Sequence, residues 1–555
     1  MPSARCQGIM ALRGLLECHV GSFLLRTTGT LFMATNDSSR ILQGRLHVAM
    51  LFILAIAGNS ITGNAQSDDE STGEVAANRR PNVLFIAVDD LNDWIEPLGG
   101  HPDVKTPNLN RLARRGIAFT NAHCQAPLCN PSRCSVMTSL RPSTTGIYGL
   151  APFFRDTQKW RKRTSLNQFF RQHGYDTYCA GKIYHATHGR DQNEFDKIGP
   201  PGLPRKFPPE PLVQPRPNGN NPWVDWGLFD HDETEKTDYG VASWCIEQMQ
   251  SATTERPWFI ACGFFQPHVP CYPPPKYWNQ YPNDRVSLPV IDPLDRLDCS
   301  PFAWYTHWYH PEPRLAWLEQ HDHHRDLVHS YLACVTFVDA QVGRLLDALD
   351  ESPAKDNTVI CLWSDHGYHL GEKNMTGKTS LWERSTHVPL MFAGPKISAN
   401  QKCASPAELL DIYPTLTELC GLPMPSDLEG VSLLPQINDP SKIRSRPAIT
   451  DHNPGNQSIR GQRYRLIHYA DGSEELYDVI DDPREERNLI DDAKFDDAAS
   501  ELRQHYNRST AGLIEGSEAR VLEKKEDGWY WQNHLIDPDN PPMDISPHTP
   551  ADLPR

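Results

Sequence analysis

The sequence has little positive charge and no long run of Lys and Arg. It contains 54 Lys and Arg residues against 70 Asp and Glu residues among 555, which gives a formal net charge of −16. A protein that binds DNA or RNA needs a clustered cationic surface. The composition therefore argues against a nucleic-acid partner, and an anionic substrate would have to be met by a few local cations.

Long hydrophobic runs are also missing. The apolar stretch at 46–57 has about 12 residues, whereas a membrane-spanning helix needs roughly 20. Arg40 and Arg45 precede this stretch and small or polar residues follow it, which is typical of a secretory signal peptide. We predict an exported protein, periplasmic or extracellular, with no stable membrane span and with its start at Met1 or Met33. A buried core helix or a short anchor is the alternative interpretation of 46–57.

Regularly spaced cysteines and internal repeats are absent as well. Two of the 14 cysteines, Cys6 and Cys18, lie in or before the leader, and the other 12 show no regular Cys-x-x-Cys spacing. This density is far below that of a disulfide scaffold, so the pairing of these cysteines stays open. With 39% hydrophobic and 22% charged residues the composition is that of a globular protein, which excludes a disordered or fibrous chain.

Strand and helix patterns alternate from residue 81 onward. The run at 82–88 is continuously β-branched and aromatic, which is typical of a strand buried on both faces of a parallel sheet. A helix follows at 106–116, with Pro in its first turn and Gly at its end. The same alternation predicts strands at 175–179, 258–265, 358–363 and 388–392, and helices at 165–173, 327–349 and 407–420. This pattern predicts the α/β class, with a large mixed, mainly parallel sheet sandwiched by helices.

The pattern changes from about residue 446. Short segments at 457–460, 464–469 and 474–477 are separated by Asn-Pro-Gly-Asn and Asp-Gly turns and predict a small antiparallel sheet, with a helix at 498–511. The predicted divisions are an N-terminal extension and signal peptide (1–65), a flexible mature N-terminus (66–80), the main α/β domain (81–445), a smaller C-terminal α+β subdomain (446–536) and a Pro- and Asp-rich tail (537–555).

Four predicted strands end in ionisable side chains. These are Asp89 with Asp90, Lys182 with His185, His268, and Asp365 with His366. Ligands of open α/β sheets bind beyond the carboxyl ends of the strands, so we expect these side chains to lie in one crevice. Each group alone also fits a helix cap, a turn or a histidine satisfied within the core. Their occurrence at four strand ends favours a functional site.

The carboxylates in this set indicate a metal ion. Asp89, Asp90 and Asp365 would repel one another unless a cation lay between them. Oxygen donors favour Ca²⁺ or Mg²⁺, and Ca²⁺ is our preferred ion. His366 fits this interpretation less well because imidazole is commoner on zinc or manganese.

A cysteine box lies before an apolar stretch, as Cys129-Asn130-Pro131-Ser132-Arg133. Pro131 fits the first turn of a helix, which would place Cys129 near the positive end of that helix and Arg133 about one turn along. That arrangement favours an anion beside position 129. A disulfide to Cys124 or Cys134, or a small loop residue, is the alternative.

The box Cys129-x-Pro131-x-Arg133 resembles the signature of the type I sulfatases of the alkaline phosphatase superfamily, in which the cysteine is converted to formylglycine during export. The resemblance extends over about 81–490 and is carried by PNVLFIAVDDL, TPNLNRLARRGIAFTNAHC, CNPSR, GKIYH, QPHVP, SDHGYHLGE, GKTSLWE, THVPLMFAGP and LYDVIDDPREERNL. GKIYH, QPHVP and SDHG are most similar to the iduronate-2-sulfatase branch. The resemblance therefore implies a sulfuric ester hydrolase.

The resemblance also implies roles for particular residues. Asp89, Asp90, Asp365, His366 and the formylglycine oxygen at position 129 would bind one Ca²⁺. Arg133 and Lys182 would position the modified side chain, His185 would be the base that breaks down the covalent intermediate, and His268 and Lys378 would contact the sulfate and assist protonation of the leaving group. A formylglycine-generating maturation enzyme is then a partner. Conversion of Cys129 would leave 11 cysteines in the mature chain, so at least one would stay unpaired in the monomer.

The implied substrate is a sulfated carbohydrate such as a sulfated uronic acid, with choline sulfate and aryl sulfates as alternatives. Long segments at 186–235 and 271–327 are expected to form the substrate rim, and the alternative is that they only cover the sheet. In a rim, Trp223, Trp226, Trp304 and Trp308 would stack on sugar rings or pack within the protein. Local cations for a polyanion would be Lys182, Lys378 and Arg384.

Two other functions fit the same pattern. A phosphate or phosphonate monoester hydrolase would share the fold, because fold does not determine function. A non-catalytic binding protein would never be matured, but none of the expected catalytic residues is missing from this sequence.

Overall fold

The computed structural model describes residues 79–217, 223–253, 255–300, 302–303, 306, 312–518, 522–531 and 534–535. The predicted leader, most of the predicted flexible N-terminus and the predicted tail lie outside these residues. The described residues belong to one compact unit. None of their helices is both long enough and apolar enough to cross a bilayer.

The strands are numbered β1 to β19 along the chain. They are β1 Asn82–Asp89, β2 Gly116–Phe119, β3 Ala122–His123, β4 Asp176–Gly181, β5 Lys197–Pro201, β6 Trp258–Pro267, β7 Thr358–Ser364, β8 His369–Leu370, β9 Thr376–Gly377, β10 Leu390–Ala393, β11 Gln401–Cys403, β12 Ala407–Glu408, β13 Ala448–Asp451, β14 Gln457–Arg460, β15 Tyr464–His468, β16 Glu474–Asp478, β17 Leu522–Lys525, β18 Gly528–Trp531 and β19 His534–Leu535.

The α-helices are numbered in the same way. They are α1 Pro107–Arg115, α2 Cys129–Thr138, α3 Pro142–Thr145, α4 Leu166–Gln172, α5 Thr237–Ser251, α6 Pro275–Trp278, α7 Leu315–Gln320, α8 His324–Asp350, α9 Glu383–Thr386, α10 Ile412–Leu419, α11 Leu434–Asn438 and α12 Asp496–Arg503.

An eight-stranded sheet forms the centre of the fold, in the order β11-β2-β10-β7-β1-β6-β4-β5. The strands from β7 to β5 are parallel, while β10 is antiparallel to both β7 and β2. Strand β1 therefore has a parallel neighbour on each side, and the carboxyl ends of β7, β1, β6 and β4 lie at one edge of the sheet. The predicted large, mainly parallel sheet is confirmed.

The two faces of the sheet pack against separate helical layers. Alternate residues of β1, such as Leu84 and Ile86, face a core that includes α1, α5 and α8. Val83 and Phe85 face the opposite core, which includes α2, α4 and α10. All eight residues of β1 are buried, which explains why the run at 82–88 is apolar without alternation.

A four-stranded antiparallel sheet, β13-β14-β15-β16, follows the main sheet in the chain and confirms the second predicted sheet. Its first strand lies against the segment that leads into α2. Thr450 Oγ1 donates to the carbonyl of Cys124 at 2.5 Å, and the Asp451 amide donates to the carbonyl of Gln125 at 2.8 Å. The smaller sheet is therefore fixed a few residues upstream of Cys129.

Two predicted helices differ by more than three residues from their expected bounds. The segment predicted as a helix at 407–420 begins with the short strand β12, and α10 starts only at Ile412. Pro414 then lies in the first turn of α10, where its missing amide proton is tolerated. The helix predicted at 498–511 is α12, which starts at Asp496 and ends at Arg503. Residues beyond it hydrogen-bond elsewhere, because the Ala511 amide donates to the carbonyl of Ser143 at 2.6 Å.

Candidate active site

The ionisable residues predicted at the strand ends lie together at the carboxyl edge of the main sheet. Asp89 is the last residue of β1, and Asp90 follows it in a left-handed conformation with φ of 59°. Asp365 and His366 follow β7. The Asp90 amide donates to Asp365 Oδ1 at 3.2 Å, which links the two strand ends directly. All four side chains are buried.

Cys129 is the first residue of α2 and lies within this group. Leu128 before it is extended, and Pro131 occupies the first turn, as the sequence predicted. The Cys129 sulfur lies 3.3 Å from His366 Nε2, 3.4 Å from Lys378 Nζ and 3.7 Å from Lys182 Nζ. Cys129 is 1% exposed. It is free, as is every other cysteine that the structure describes, so a disulfide to Cys124 or Cys134 is not present.

Arg133 holds the two strand ends in place from one turn further along α2. Its Nε donates to Asp365 Oδ2 at 2.7 Å, and its Nη2 donates to Asp89 Oδ1 at 3.0 Å. Its Nη1 donates to the carbonyls of Lys182 and Ile183. The guanidinium is fully buried, and although burial opposes its charge, Asp365 and Asp89 raise its pKa above the ordinary value. Arg133 is therefore a permanently charged positioning group.

Two lysines pair with the carboxylates of β1. Lys182 Nζ donates to Asp89 Oδ2, and Lys378 Nζ lies 2.7 Å from Asp90 Oδ1 and 3.0 Å from Asp90 Oδ2. Burial is the largest single influence and lowers the pKa of Lys182, but Asp89, Cys129 and Asp365 together outweigh it, so the net shift of the pKa is upward. The three carboxylates thus face three cations, Arg133 included. These cations balance the repulsion among the carboxylates of Asp89, Asp90 and Asp365. That repulsion was the reason for predicting a metal ion from the sequence.

The electrostatics of the group favour negative charge at position 129. Burial opposes ionisation of Cys129, yet Lys182, Lys378 and His366 hold the pKa of its thiol well below the ordinary value. Burial raises the pKa of Asp365 to about 6. Burial alone would lower the pKa of His366, but Asp365, Cys129 and Asp90 together raise it to about 9. An anion at this position is stabilised by converging positive charge.

The remaining predicted histidines lie at the edge of the group. His185 contacts the Cys129 thiol and contributes to lowering its pKa, and its buried Nδ1 has no hydrogen-bond partner among the residues that the structure describes. His268 Nε2 lies 3.9 Å from Asp90 Oδ2, and its side chain is 17% exposed. Its Nδ1 lies 2.5 Å from the carbonyl oxygen of Val269. Both histidines are only partly buried, in contrast to the fully buried carboxylates and His366.

A close backbone approach positions Lys182. Gly181 has φ of +78°, and a Cβ atom there would lie 1.8 Å from the carbonyl oxygen of Gly263 on β6. The Lys182 amide donates to that same carbonyl at 2.9 Å. Only glycine permits this approach, and it brings Lys182 across the end of β6 toward Asp89.

The donor atoms fit a metal ion. Two overlapping groups have ligand atoms that all lie within 4.8 Å of one another, namely Asp89, Asp90, Cys129 and His268, and Asp89, Cys129, Asp365 and His366. Carboxylate oxygens are the donors that Ca²⁺ prefers, whereas the imidazole of His366 is the less typical member. The convergence of the donors, rather than uncompensated charge, is what supports a metal site.

Arg384, the third cation expected near the substrate, is engaged within the protein. Its Nη1 pairs with Asp93, and its Nε lies 2.9 Å from Glu372 Oε1. Its carbonyl oxygen lies so close to Gly367 that a Cβ atom there would approach it to 2.0 Å. Arg384 therefore supports the turn after His366.

The predicted substrate rim is described in part. Trp226 is buried in the core that faces α8, so it packs within the protein. Trp223 is 44% exposed, whereas Trp304 and Trp308 lie outside the described residues.

Two residues that fix this arrangement are not evident from the sequence. Tyr331 on α8 donates from its hydroxyl to the carbonyl of Asp90 at 2.8 Å, and the same hydroxyl accepts from the Asn92 amide at 3.0 Å. Ser132 Oγ donates to the carbonyl of Asp365 at 2.5 Å. In the sequence Tyr331 is one of many inward-facing positions of an amphipathic helix, and no signal distinguishes it from the others. Ser132 is marked only by its place in the cysteine box.

Residues 81–422 match the protein family described as Sulfatase. The chain belongs to the sulfatase family. It is accordingly a sulfuric ester hydrolase, and the family resemblance drawn from the sequence is confirmed. Residues 371–511 also match the family described as N-sulphoglucosamine sulphohydrolase, C-terminal.

Individual relatives extend over most of this sulfatase. A sulfatase of Formosa agariphila is 39% identical over 431 residues, which cover 75% of this chain and 84% of that protein. The iduronate 2-sulfatase of Homo sapiens is 29% identical over 524 residues, which cover 75% of this chain and 92% of the human protein. Among solved structures, the phosphonate monoester hydrolase of Agrobacterium radiobacter matches with a TM-score of 0.63 at 22% identity, over 82% of this chain and 100% of that one. At that identity the match shows a shared fold.

Proposed function

We propose that this protein is an exported sulfatase that hydrolyses the sulfate ester of a carbohydrate, with Cys129 converted to formylglycine and with one bound Ca²⁺. The observation that carries the proposal is the position of Cys129, buried at the start of α2 with three basic side chains within 3.7 Å of its sulfur. Such a site stabilises an anionic group at position 129 and the oxygens of a sulfate beside it. The name of the human relative supports a sulfated uronic acid as the first substrate to test.

Each basic residue has a role that follows from its position. Lys182 and Lys378, which pair with Asp89 and Asp90, would neutralise charge on the sulfate oxygens. His268 is more exposed, and it would donate a proton to the oxygen of the departing alcohol. His185, whose Nδ1 has no hydrogen-bond partner within the described part of the chain, would accept a proton at position 129.

The hydrated aldehyde at position 129, which maturation would supply, and Ca²⁺ from the medium complete this chemistry. The hydrated aldehyde offers two hydroxyl groups on one carbon, one to attack sulfur and one to be deprotonated when inorganic sulfate departs. Asp89, Asp90, Asp365 and His366, with the oxygen at position 129, would hold the Ca²⁺, which when bound polarises the sulfate.

Mass spectrometry of the tryptic peptide that contains Cys129 tests the modification. We expect protein exported from a host able to form formylglycine to yield a peptide lighter than the unmodified one by the difference between a CH₂SH and a CHO group, and reactive with a hydrazide. A control sulfatase made in the same host verifies maturation. A thiol or a disulfide at position 129 in active protein would contradict the proposal.

Chelation tests the metal. We expect removal of Ca²⁺ by EDTA to abolish activity and to lower the thermal midpoint, and added Ca²⁺ to restore both, because an ion that binds only the folded state stabilises it by about 2.7 kcal/mol at a hundredfold excess over Kd. The effects of Ca²⁺ on activity and on the thermal midpoint should be lost in Asp365→Asn. They should be kept in Asp347→Asn, whose carboxylate is at the surface. Full activity of metal-free protein, or restoration by Zn²⁺ or Mn²⁺ alone, would contradict the assignment of Ca²⁺.

Phosphonate or phosphate monoester hydrolysis is the second candidate, favoured by the fold shared with the Agrobacterium radiobacter enzyme. A higher kcat/KM for p-nitrophenyl phosphate than for p-nitrophenyl sulfate would support it.

A further inference from the structure

The segment that carries His185 makes a tight turn at 185–189, shortly after β4. The His188 amide donates to the carbonyl of His185 at 3.2 Å and closes this turn. Ala186 within it has φ of 52°, in the left-handed region that is uncommon for a residue other than glycine. Such backbone strain persists only where the surrounding structure enforces it, and it clusters at active sites.

The turn is folded against the ring of Tyr184. Gly189 at its end has φ of +63°, and a Cβ atom there would lie 2.1 Å from a carbon of the Tyr184 ring. Glycine is therefore needed for the chain to pass so close to this ring. Phe153 packs edge-on against the same ring with 5.2 Å between the centroids, and it stacks on the ring of His188 at 4.9 Å. Tyr184 is 2% exposed, so the turn is shaped by a buried side chain.

The hydroxyl of Tyr184 is held by a buried carboxylate. It donates to Glu194 Oε2 at 2.8 Å, and Glu194 is 1% exposed. The same carboxylate oxygen accepts from Ser165 Oγ at 2.7 Å and from Asn167 Nδ2 at 2.9 Å. The other oxygen, Oε1, accepts from Arg155 Nε at 2.5 Å. Because four side chains donate to it, Glu194 is a fixed acceptor for the Tyr184 hydroxyl.

The two residues before His185 are thus both anchored. The carbonyl of Ile183 accepts from Arg133 Nη1 at 3.1 Å, and the next residue, Tyr184, is tied to Glu194. His185 follows directly, and its imidazole contacts the Cys129 thiol. A general base has to lie within hydrogen-bonding reach of the proton that it takes. A displacement of about 1 Å can lower a rate by about 10²-fold, so the anchor before His185 matters for its chemistry.

We infer that Tyr184 and Glu194 are positioning residues, whose buried hydrogen bond holds the turn at 185–189 so that the imidazole of His185 stays beside position 129. The inference rests on the proposed function, in which His185 accepts a proton at that position. It adds two residues that do not themselves take part in the bond changes at sulfur.

The step that depends on this anchor is the release of inorganic sulfate. His185 takes the proton of the free hydroxyl group on the carbon at position 129, and the electron pair of that O–H bond forms the C=O bond. The C–O bond to the sulfate group breaks, and its electron pair leaves with the sulfate. The alcohol has already departed by then, with a proton from His268. Loss of the anchor is therefore expected to slow the second half of the reaction and to spare the first.

Hydrogen–deuterium exchange of the matured, full-length protein tests the anchor without any turnover. We expect Tyr184→Phe to speed exchange in the peptide that contains 185–189 by about tenfold, because the turn then opens more often. Tyr175→Phe is the matched control. Tyr175 lies just before β4, at the opposite end of that strand, it is fully buried, and its hydroxyl donates to the carbonyl of Pro81 at 2.9 Å. This control should leave exchange in the peptide unchanged.

Kinetics on p-nitrophenyl sulfate test the consequence for His185. We expect Tyr184→Phe to lower kcat and KM together by about tenfold and to leave kcat/KM nearly unchanged, because p-nitrophenol is released before the step that His185 serves. A burst of about one equivalent of p-nitrophenol should precede the steady state, and protein quenched during turnover should carry an added SO₃ group at position 129. Glu194→Gln should act in the same way. The double variant should lose no more than the larger single one, because both changes remove one hydrogen bond.

His185→Ala separates the inference from the proposed function. It should give the same burst with a loss of about 10²–10⁴-fold in kcat. If His185→Ala gives a burst and Tyr184→Phe does not, the inference is overturned and the proposed function stands. Tyr184→Phe alone decides this point if Glu194→Gln fails to fold. An unchanged kcat in His185→Ala, or no sulfate ester hydrolysis by the unmodified, matured protein, would overturn the proposed function.

Discussion

Replacing Cys129 by Ala is expected to lower kcat/KM for sulfate ester hydrolysis by about 10⁴-fold or more, as loss of a nucleophile does in other hydrolases. The physical reason is that His366, Lys182 and Lys378 surround the atom at position 129, so that this atom is where the developing charge is stabilised. Initial rates on p-nitrophenyl sulfate, at equal concentrations of folded protein, measure the effect.

Cys134→Ala is the matched control. Cys134 is buried on the same helix, its sulfur lies 3.5 Å from Asn130 Oδ1, and burial raises the pKa of its thiol to about 12. It is therefore an inert thiol, and its removal should leave activity within a few-fold of the unmodified protein. Comparable activity in Cys129→Ala, or an equal loss in both variants, would argue against position 129 as the nucleophile.

Replacing Glu408 by Gln is expected to lower the free energy of unfolding by about 3–5 kcal/mol, the range for breaking a buried ion pair. Glu408 is fully buried in β12, with Oε1 2.6 Å from Arg141 and Oε2 2.7 Å from Arg446. Its Oε1 also accepts from the Ile449 amide of β13 at 3.0 Å. The substitution removes the negative charge that pairs with Arg141, whose side chain is 12% exposed, and with the more exposed Arg446. It also weakens the contact between β12 and the smaller sheet. Urea unfolding followed by circular dichroism measures the change.

The stabilisation contributed by Glu408 is expected to depend on pH. Burial alone would raise the pKa of Glu408, but Arg141, Arg444 and Arg446 lower it from 4.5 to about 2. Because the pKa is depressed in the folded state, the stabilisation is complete above about pH 4.5 and is lost as the pH falls toward 2. The difference in stability between the unmodified protein and Glu408→Gln should shrink over this range. Glu235→Gln, at an exposed pair with Lys206, should leave the urea midpoint unchanged. If the difference in the free energy of unfolding between the unmodified protein and Glu408→Gln stays constant over this pH range, the charge of Glu408 is not the cause of the stabilisation.

The elements that sequence analysis predicts best are those whose burial is unambiguous. The strand at 82–88 is buried on both faces, and the helix predicted at 327–349 corresponds to α8, which is three residues longer at its start. Strands of the sheet edge, such as β5 and β11, are short or partly exposed, and their sequences carry no comparable apolar run. The helix predicted at 407–420 failed at its start because Ala407 and Glu408 pair with β3, a contact that local sequence does not encode.

The candidate site, like the fold, has features that the sequence predicts and features that it does not. The positions of Asp89, Asp365, Lys182 and His268 follow from a general rule about the ends of parallel strands, so the sequence is enough to bring them together. Their pairing is not predictable in this way. In the folded chain Lys182 pairs with Asp89 and Lys378 pairs with Asp90, so these lysines balance the charge of the carboxylates without a metal ion. These pairs depend on distances that only the folded chain defines.

The order in which these groups are synthesised has a consequence for maturation. Lys378, whose ammonium lies over Cys129, is 249 residues further along the chain, and His366 is 237 residues further along. At roughly 5–20 residues per second, a ribosome takes on the order of 10–50 s to make that stretch. During this interval Cys129 has already been synthesised, but the residues that cover it have not. Under the proposed conversion to formylglycine, the maturation enzyme would therefore act on Cys129 before His366 and Lys378 fold over the thiol.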